Sequence, residues 1–370
     1  MKTKTRSFLA ITLLLFTGII AACQPAPKVE SEGAYTLHIT QIDTTNFPLV
    51  NVYVAVQDAN GEPKVVNTEK LQLLENGQPV GNQNIQGTGD VGSLTTLLLI
   101  DNSGSMNYAE KLTGAKEVAK EYINQMRAGD QAGIITFNTQ VNTVQEVTGD
   151  KEALEKAIDS ISANSDTAMY DALVIAVETL NPLPGRKAII VLTDGMDNQS
   201  TADPDEALAA IGFGGLSIST AGFGQIPEGE EEADAYSGID ETTLRYIADN
   251  AGGKYGYAKN KEQLSALYDQ MRRALQSEVV ISYVTPLDLR DGVLRALTVT
   301  LSDRYRGVGG ESQTSFNPGG LVPEVALPAS WTTFAIILVV LAVMLFVPVV
   351  ILAFRNKKSK KRKIRIKLKD

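Results

Sequence analysis

The sequence predicts an α/β domain with a doubly wound, mostly parallel sheet of Rossmann-like layout, flanked by a β-sandwich split in the chain and followed by one transmembrane helix. Three observations predict it. Between Leu94 and Leu275, short apolar runs alternate with helical patterns, which implies parallel strands joined by crossover helices. On both sides of that stretch the pattern changes to β alternation. Near the end, Trp331–Phe354 is almost wholly apolar and long enough to cross about 30 Å of hydrocarbon.

The chain starts with a targeting pattern. Lys2, Lys4 and Arg6 precede an apolar core, Phe8–Ile20, and the small residues Ala21 and Ala22 lead into Cys23. This resembles the bacterial lipobox, which implies a signal peptide over residues 1–22 and lipidation at Cys23. Cys23 is the only cysteine, so no intramolecular disulfide can form. Residues 23–34, rich in Pro, Glu and Ser, read as a linker.

Residues 35–88 read as the first part of the sandwich. Tyr35–Thr40 and Asn51–Val56 alternate, and Asp58-Ala59-Asn60-Gly61 and Glu75-Asn76-Gly77 are hairpin-turn signals. The segment is similar to the immunoglobulin-like β regions of bacterial exported proteins. Gly87-Thr88-Gly89-Asp90-Val91-Gly92 matches a dinucleotide fingerprint on paper, but it precedes a strand instead of following one, so it reads as a linker.

The α/β domain is placed at residues 93–276. Leu94–Ile100, Ala132–Phe137, Ala188–Leu192 and Leu216–Gly222 are strand candidates. Lys111–Met126 has helical spacing through Leu112, Ala115, Val118, Ala119, Tyr122, Ile123 and Met126, and Met169–Leu180 is a second helical run. Asp203–Ile211, Glu241–Ala251 and Lys261–Leu275 are the later helices. Residues 279–318 return to β, with strands at Val279–Val284, Leu294–Leu301 and Gln313–Phe316. Three short strands make no stable core alone, so they are expected to complete the sheet begun before the α/β domain, an arrangement similar to the hybrid domain of integrin β subunits. Residues 319–330 form a second linker, the helix spans 331–354, and 355–370 is a basic tail.

One motif carries the functional argument. The strand Leu94–Ile100 ends at Asp101-Asn102-Ser103-Gly104-Ser105-Met106, a carboxylate followed by two hydroxyls at alternating positions. Such an oxygen-rich loop suits a hard cation. The strand Ala188–Leu192 ends at Thr193-Asp194-Gly195, and Thr167 precedes the Met169 helix. Asp101, Ser103, Ser105, Thr167 and Asp194 together resemble the metal-ion-dependent adhesion site of the von Willebrand factor type A (VWA) family. The resemblance implies one divalent cation, Mg²⁺ first and Mn²⁺ or Ca²⁺ as alternatives, held by those five residues. It also implies a protein ligand that supplies an acidic residue to the open coordination position.

Charge distribution narrows the partners. The chain has 34 basic and 43 acidic residues, net −9. The tail takes ten of the bases and one acid and the first six residues take three bases, which leaves 21 bases against 42 acids between them, net −21. Such a surface repels nucleic acid. By the positive-inside rule the tail lies in the cytoplasm and the domains outside the bacterial cytoplasmic membrane. An acidic run, Glu228–Asp234, sits on a loop expected on the metal face. Asp197, Asn198 and Asp203 read as turn and cap residues. His38 is the only histidine, which leaves no histidine for a zinc cluster or a Ser-His-Asp set in the α/β domain. A phosphatase of the haloacid-dehalogenase type would need a second acid at the position of Ser103.

The sequence therefore predicts a non-enzymatic, membrane-anchored binding protein for adhesion or complex assembly. The alternatives are an accessory subunit of a membrane transport, protease or chaperone-like complex, and a metal-dependent hydrolase.

Overall fold

The structure is a computed structural model that describes residues 35–64, 66, 70–224, 238–301, 311–320, 334–336, 338–341 and 344. The expected signal peptide over residues 1–22, Cys23, the acidic run 228–234 and the basic tail lie outside the described residues. So does most of the segment 331–354; the described part of it is helical, with Ile336, Val339 and Met344 exposed. Among the described residues, no helix is long and apolar enough to cross a membrane.

The central sheet has six strands in the order β11-β10-β9-β6-β7-β8. These are β6 (Leu94–Asp101), β7 (Gln131–Phe137), β8 (Val141–Thr148), β9 (Arg186–Thr193), β10 (Ser217–Phe223) and β11 (Gly252–Ala258). All neighbours are parallel except the β7–β8 pair. Every residue of β6 and β9 is buried, which is why both read as continuous apolar runs instead of alternating ones.

Helices cover both faces. One core joins Leu98, Ile100, Ile190 and Leu192 to α1 (Lys111–Asn124), α2 (Lys151–Ser160) and α6 (Lys261–Gln276). The other joins Leu97, Leu99, Ile189 and Val191 to α3 (Met169–Leu180), α4 (Pro204–Ala209) and α5 (Glu241–Asn250). Strand alternation sends odd and even residues to opposite faces, so each strand feeds both cores. From β6 the chain crosses to β7 on one side, and β9 lies on the other. The switch point of this sheet is thus the gap between the carboxyl ends of β6 and β9.

Two four-stranded sheets make the rest. One has the order β1-β2-β12-β5, from β1 (Thr36–Asp43), β2 (Leu49–Gln57), β12 (Val279–Val284) and β5 (Ile85–Asp90). The other has the order β14-β13-β3-β4, from β14 (Glu311–Phe316), β13 (Arg295–Leu301), β3 (Leu71–Glu75) and β4 (Gln78–Pro79). They close on a shared core that includes Leu37, Val52, Val54, Ile281 and Tyr283 from one sheet and Leu73, Leu297 and Val299 from the other. Each sheet combines strands from before and after the α/β domain, and that domain leaves the β layer after Asp90 and returns at Val279, residues paired with each other across β5 and β12.

Several elements depart from the sequence expectation. Ile85–Asp90, expected in part as linker, is a strand, because its backbone pairs with β12 from Asp90–Val279 to Ile85–Tyr283. Its glycines carry no side-chain pattern to announce it. The antiparallel edge strand β8 and helix α2 were also absent from the expectation; β8 is only partly buried and mostly polar.

Candidate metal centre

Asp101 is the last residue of β6 and is fully buried. Its Oδ1 accepts the Ser103 amide at 2.8 Å and its Oδ2 accepts the Thr193 hydroxyl at 2.6 Å. The chain then turns through a tight helical segment, Gly104–Glu110. Gly104 is required for close approach: its amide donates to the Ser165 carbonyl at 2.7 Å, and a Cβ there would lie 3.2 Å from that oxygen. The turn aims both hydroxyls one way. Ser103 Oγ and Ser105 Oγ are 3.0 Å apart, and Ser105 Oγ donates to Asp194 Oδ1 at 2.7 Å. The structure therefore brings Asp101, Ser103, Ser105 and Asp194 into one hydrogen-bonded group at the switch point.

Thr167 lies on the loop beside them and is buried. That loop is stitched to the first by Asn164 N to Asn102 O at 2.9 Å and by Asn107 Nδ2 to Ala163 O at 3.0 Å. It is stitched to the third by Thr167 N to Asn198 Oδ1 and by Asn198 N to Thr167 O, both at 3.0 Å. Asn198 thus positions the Thr167 loop. Asp197 accepts the Tyr170 amide and the Ser200 hydroxyl, and Asp203 caps α4 with Glu206 in a capping box.

Electrostatics bear on what the group can hold. Burial pushes the Asp101 carboxyl up to about 6, and the neighbouring Asp194 charge adds to the rise. Hydrogen bonds from Thr193 and Ser103 oppose it but do not win. Two carboxylates and two hydroxyls, all oxygen and partly at odds in charge, suit a hard divalent cation. Among the described residues there is no cluster of three or more His, Cys, Asp or Glu, so a soft-metal centre of nitrogen and sulfur donors has no counterpart here.

Two residues at this centre were not foreseen. Thr193, the last residue of β9, secures Asp101. Lys111, the first residue of α1, reaches Asp194 Oδ2 with its ammonium at 2.6 Å. Nothing local in the sequence separates Lys111 from an ordinary surface lysine. A cleft of about 630 Å³ lies elsewhere. It opens at the amino-terminal ends of β10 and β11, beside β1 and β14, and includes none of these residues.

The chain thus combines a six-stranded, doubly wound sheet with an Asp-x-Ser-x-Ser turn at its switch point. Residues 96–196 match the family model of the von Willebrand factor type A domain, and this chain carries a domain of that family. A "UPF0353 protein" of Nocardia farcinica is 26% identical over 213 residues, 50% of this chain and 64% of that protein. A second, from Mycolicibacterium gilvum, is 26% identical over 208 residues, 50% of this chain and 61% of its own. The chain thus spans somewhat under two thirds of these relatives' length. Among solved structures, a von Willebrand factor type A protein from Catenulispora acidiphila aligns at 16% identity with a TM-score of 0.46, covering 76% of this chain and 72% of the other. The BatB protein from Bacteroides thetaiotaomicron aligns at 23% identity with a TM-score of 0.41, covering 49% and 98%. Proximal thread matrix protein 1 of the mussel byssus, solved with a zinc-occupied MIDAS motif, aligns at 19% identity with a TM-score of 0.44, covering 54% and 49%.

Proposed function

We propose that this chain is an exported, membrane-anchored binding protein whose VWA domain uses a divalent cation to grip an acidic side chain on a protein partner. The observation that carries the reading is the convergence of Asp101, Ser103, Ser105 and Asp194 at the switch point, with oxygen donors only. Asp101, Ser103, Ser105, Thr167 and Asp194 hold the cation, directly or through water. The bound cation, Mg²⁺ first and Mn²⁺ or Ca²⁺ next, supplies a Lewis-acid position for the partner's carboxylate. The two serine hydroxyls are neutral donors, so two carboxylates match the cation's two charges without filling its coordination shell, and the open position accepts a further acid.

The anchoring rests on the sequence at the two ends: lipid on Cys23, a helix over 331–354 and a cytoplasmic tail at 355–370. Adhesion and assembly of a membrane complex use the same chemistry and differ only in the partner. Catalysis is not assigned, because Ser103 stands where a strand-end aspartate would need its second acid.

The test is calorimetry of the purified full-length chain with Mg²⁺ and Mn²⁺. Asp101→Ala is expected to abolish the binding heat while leaving the far-UV circular dichroism unchanged. Unchanged affinity in the folded variant removes the metal assignment. Capture of partners from membranes with Mg²⁺ and with EDTA then reads the bridge itself: EDTA-insensitive capture removes it.

A further inference from the structure

Lys111 occupies an unfavourable place for a cation. It opens α1, where the positive end of the helix dipole disfavours an ammonium; the N-cap Glu110 makes no side-chain capping bond there, and the first turn holds no acidic residue. What holds it there is Asp194. The ammonium lies 2.6 Å from Asp194 Oδ2; the lysine side chain is 16% exposed and the aspartate side chain 0%. The other oxygen, Oδ1, accepts the Ser105 hydroxyl. Both oxygens of the third-loop carboxylate are therefore engaged within the chain, one by a hydroxyl of the first loop and one by a full positive charge.

The lysine stem has a track of its own. It runs past Gly224, just beyond β10, where a Cβ would stand 3.3 Å from Lys111 Cε and 3.4 Å from Nζ. A glycine at this point leaves room for the stem beside the centre. Because the lysine is partly exposed and has a flexible four-carbon stem, its ammonium can swing to solvent while the backbone of α1 stays in place.

We propose that Lys111 is an internal counter-ion of the candidate metal centre, which holds Asp194 when no divalent cation is bound and must be displaced from it before the cation binds at full strength. Lys111 thereby sets the cation affinity. This rests on the reading of Asp101, Ser103, Ser105, Thr167 and Asp194 as a cation site. A lysine–carboxylate contact of this partly buried kind is stronger than an exposed pair, so releasing it is a measurable cost to metal binding.

The experiment compares the full-length wild type with Lys111→Met, Lys111→Gln and Lys111→Arg in Mn²⁺ titrations by calorimetry, with thermal melts in EDTA and in millimolar Mn²⁺. The Met and Gln variants are expected to bind Mn²⁺ about tenfold tighter or more, and the Arg variant to stay within about threefold of wild type. In EDTA the Met and Gln variants are expected to melt below wild type, since Asp101 and Asp194 then face each other uncompensated, and to gain more from Mn²⁺. Mn²⁺ binding by the Met or Gln variant but not by wild type supports the proposal in its strongest form. Wild type that binds Mn²⁺, beside neutral variants that bind it equally or more weakly, overturns the role of Lys111 and leaves the cation site standing. Absence of Mn²⁺ binding in wild type and in every variant overturns both. Should Met prove too apolar for folding, Gln carries the comparison.

Discussion

At the scale of single residues, some polar side chains make the centre and others lie where the two domains meet. His38 belongs to the second kind. It lies on β1, on the face opposite Leu37 and Ile39, and its Nε2 is buried without a partner among the described residues. Burial depresses its pKa below the ordinary 6.5, and the Lys254 charge on β11 lowers it further. Asp249 on α5, Glu278 ahead of β12 and a hydrogen bond with the Gly252 backbone pull the other way and are outweighed. The sign follows from linkage: the unfolded chain binds a proton near 6.5 that the folded chain refuses until lower pH. His38 therefore contributes a loss of stability as pH drops from above 6.5 toward the depressed value, superposed on the opposite contribution of Asp101, whose raised carboxyl takes up a proton near pH 6. His38→Gln should remove that loss. Melts of wild type and variant between pH 7 and pH 5 check it, and the single histidine makes the imidazole proton signal unambiguous. Equal slopes in the two proteins would falsify this.

Among the elements, the connection of α6 to β12 holds a dense, fully buried polar interaction. Glu278, between them, forms a paired contact with Arg186 at the start of β9, and both side chains are fully buried. Arg186 also donates to Ser217 Oγ at 2.8 Å on β10 and to Gln41 Oε1 at 3.1 Å on β1. Gln41 returns its amide to the Gly214 carbonyl at 2.7 Å. One guanidinium thus ties the sheet of the VWA domain to the β layer. Glu278→Ala is expected to cost about 3–5 kcal/mol, because it strands a buried charge. The double variant Arg186→Met, Glu278→Leu should cost clearly less than Glu278→Ala alone. Denaturant titrations of the three proteins measure the difference, and a double variant as unstable as the single would refute the account.

The same elements show what was legible beforehand. Helix α3 was readable to the residue, and α1 and α6 nearly so, because each carries apolar residues at helical spacing. Strands β6 and β9 announced themselves as short apolar runs ending at polar turns. Strand β5 did not: Ile85-Gln86-Gly87-Thr88-Gly89-Asp90 becomes a strand through its ladder with β12, whose residues lie far along the chain. Strand β11 is similar, with three glycines and only part-buried side chains before Ala258. At the candidate centre, Asp101, Ser103 and Ser105 share one loop, so their pattern is visible in a short window. Lys111 and Thr193 were invisible there, since the partners that define them are 83 and 92 residues away in sequence.

For the whole molecule, the arrangement is an α/β domain set into a β layer at one point. Asp90 and Val279 are paired neighbours in adjacent antiparallel strands, so the inserted domain begins and ends at one place on the sheet. A short turn can span that gap. Replacing residues 92–277 with an Asn-Gly turn is therefore expected to yield a folded protein with a β-type circular dichroism spectrum and no helical minimum. Dispersed amide signals in its proton–nitrogen spectrum would mark success; a collapsed spectrum would show that the β layer needs the α/β domain for its own folding.

The double attachment also has a mechanical consequence. Once the ties between Gln41 and the α/β domain give way, a force applied to that domain passes through the end of β5 and the start of β12 together. Those two strands are drawn in the same direction, so the ladder between them is not sheared. The tension in β12 is resisted instead by β2, its other neighbour, along pairs running from Val279–Val54 to Val284–Leu49. Hydrogen bonds in that ladder lie across the direction of pull. They share the load side by side, the geometry that yields last, where a ladder opened from one end would part bond by bond.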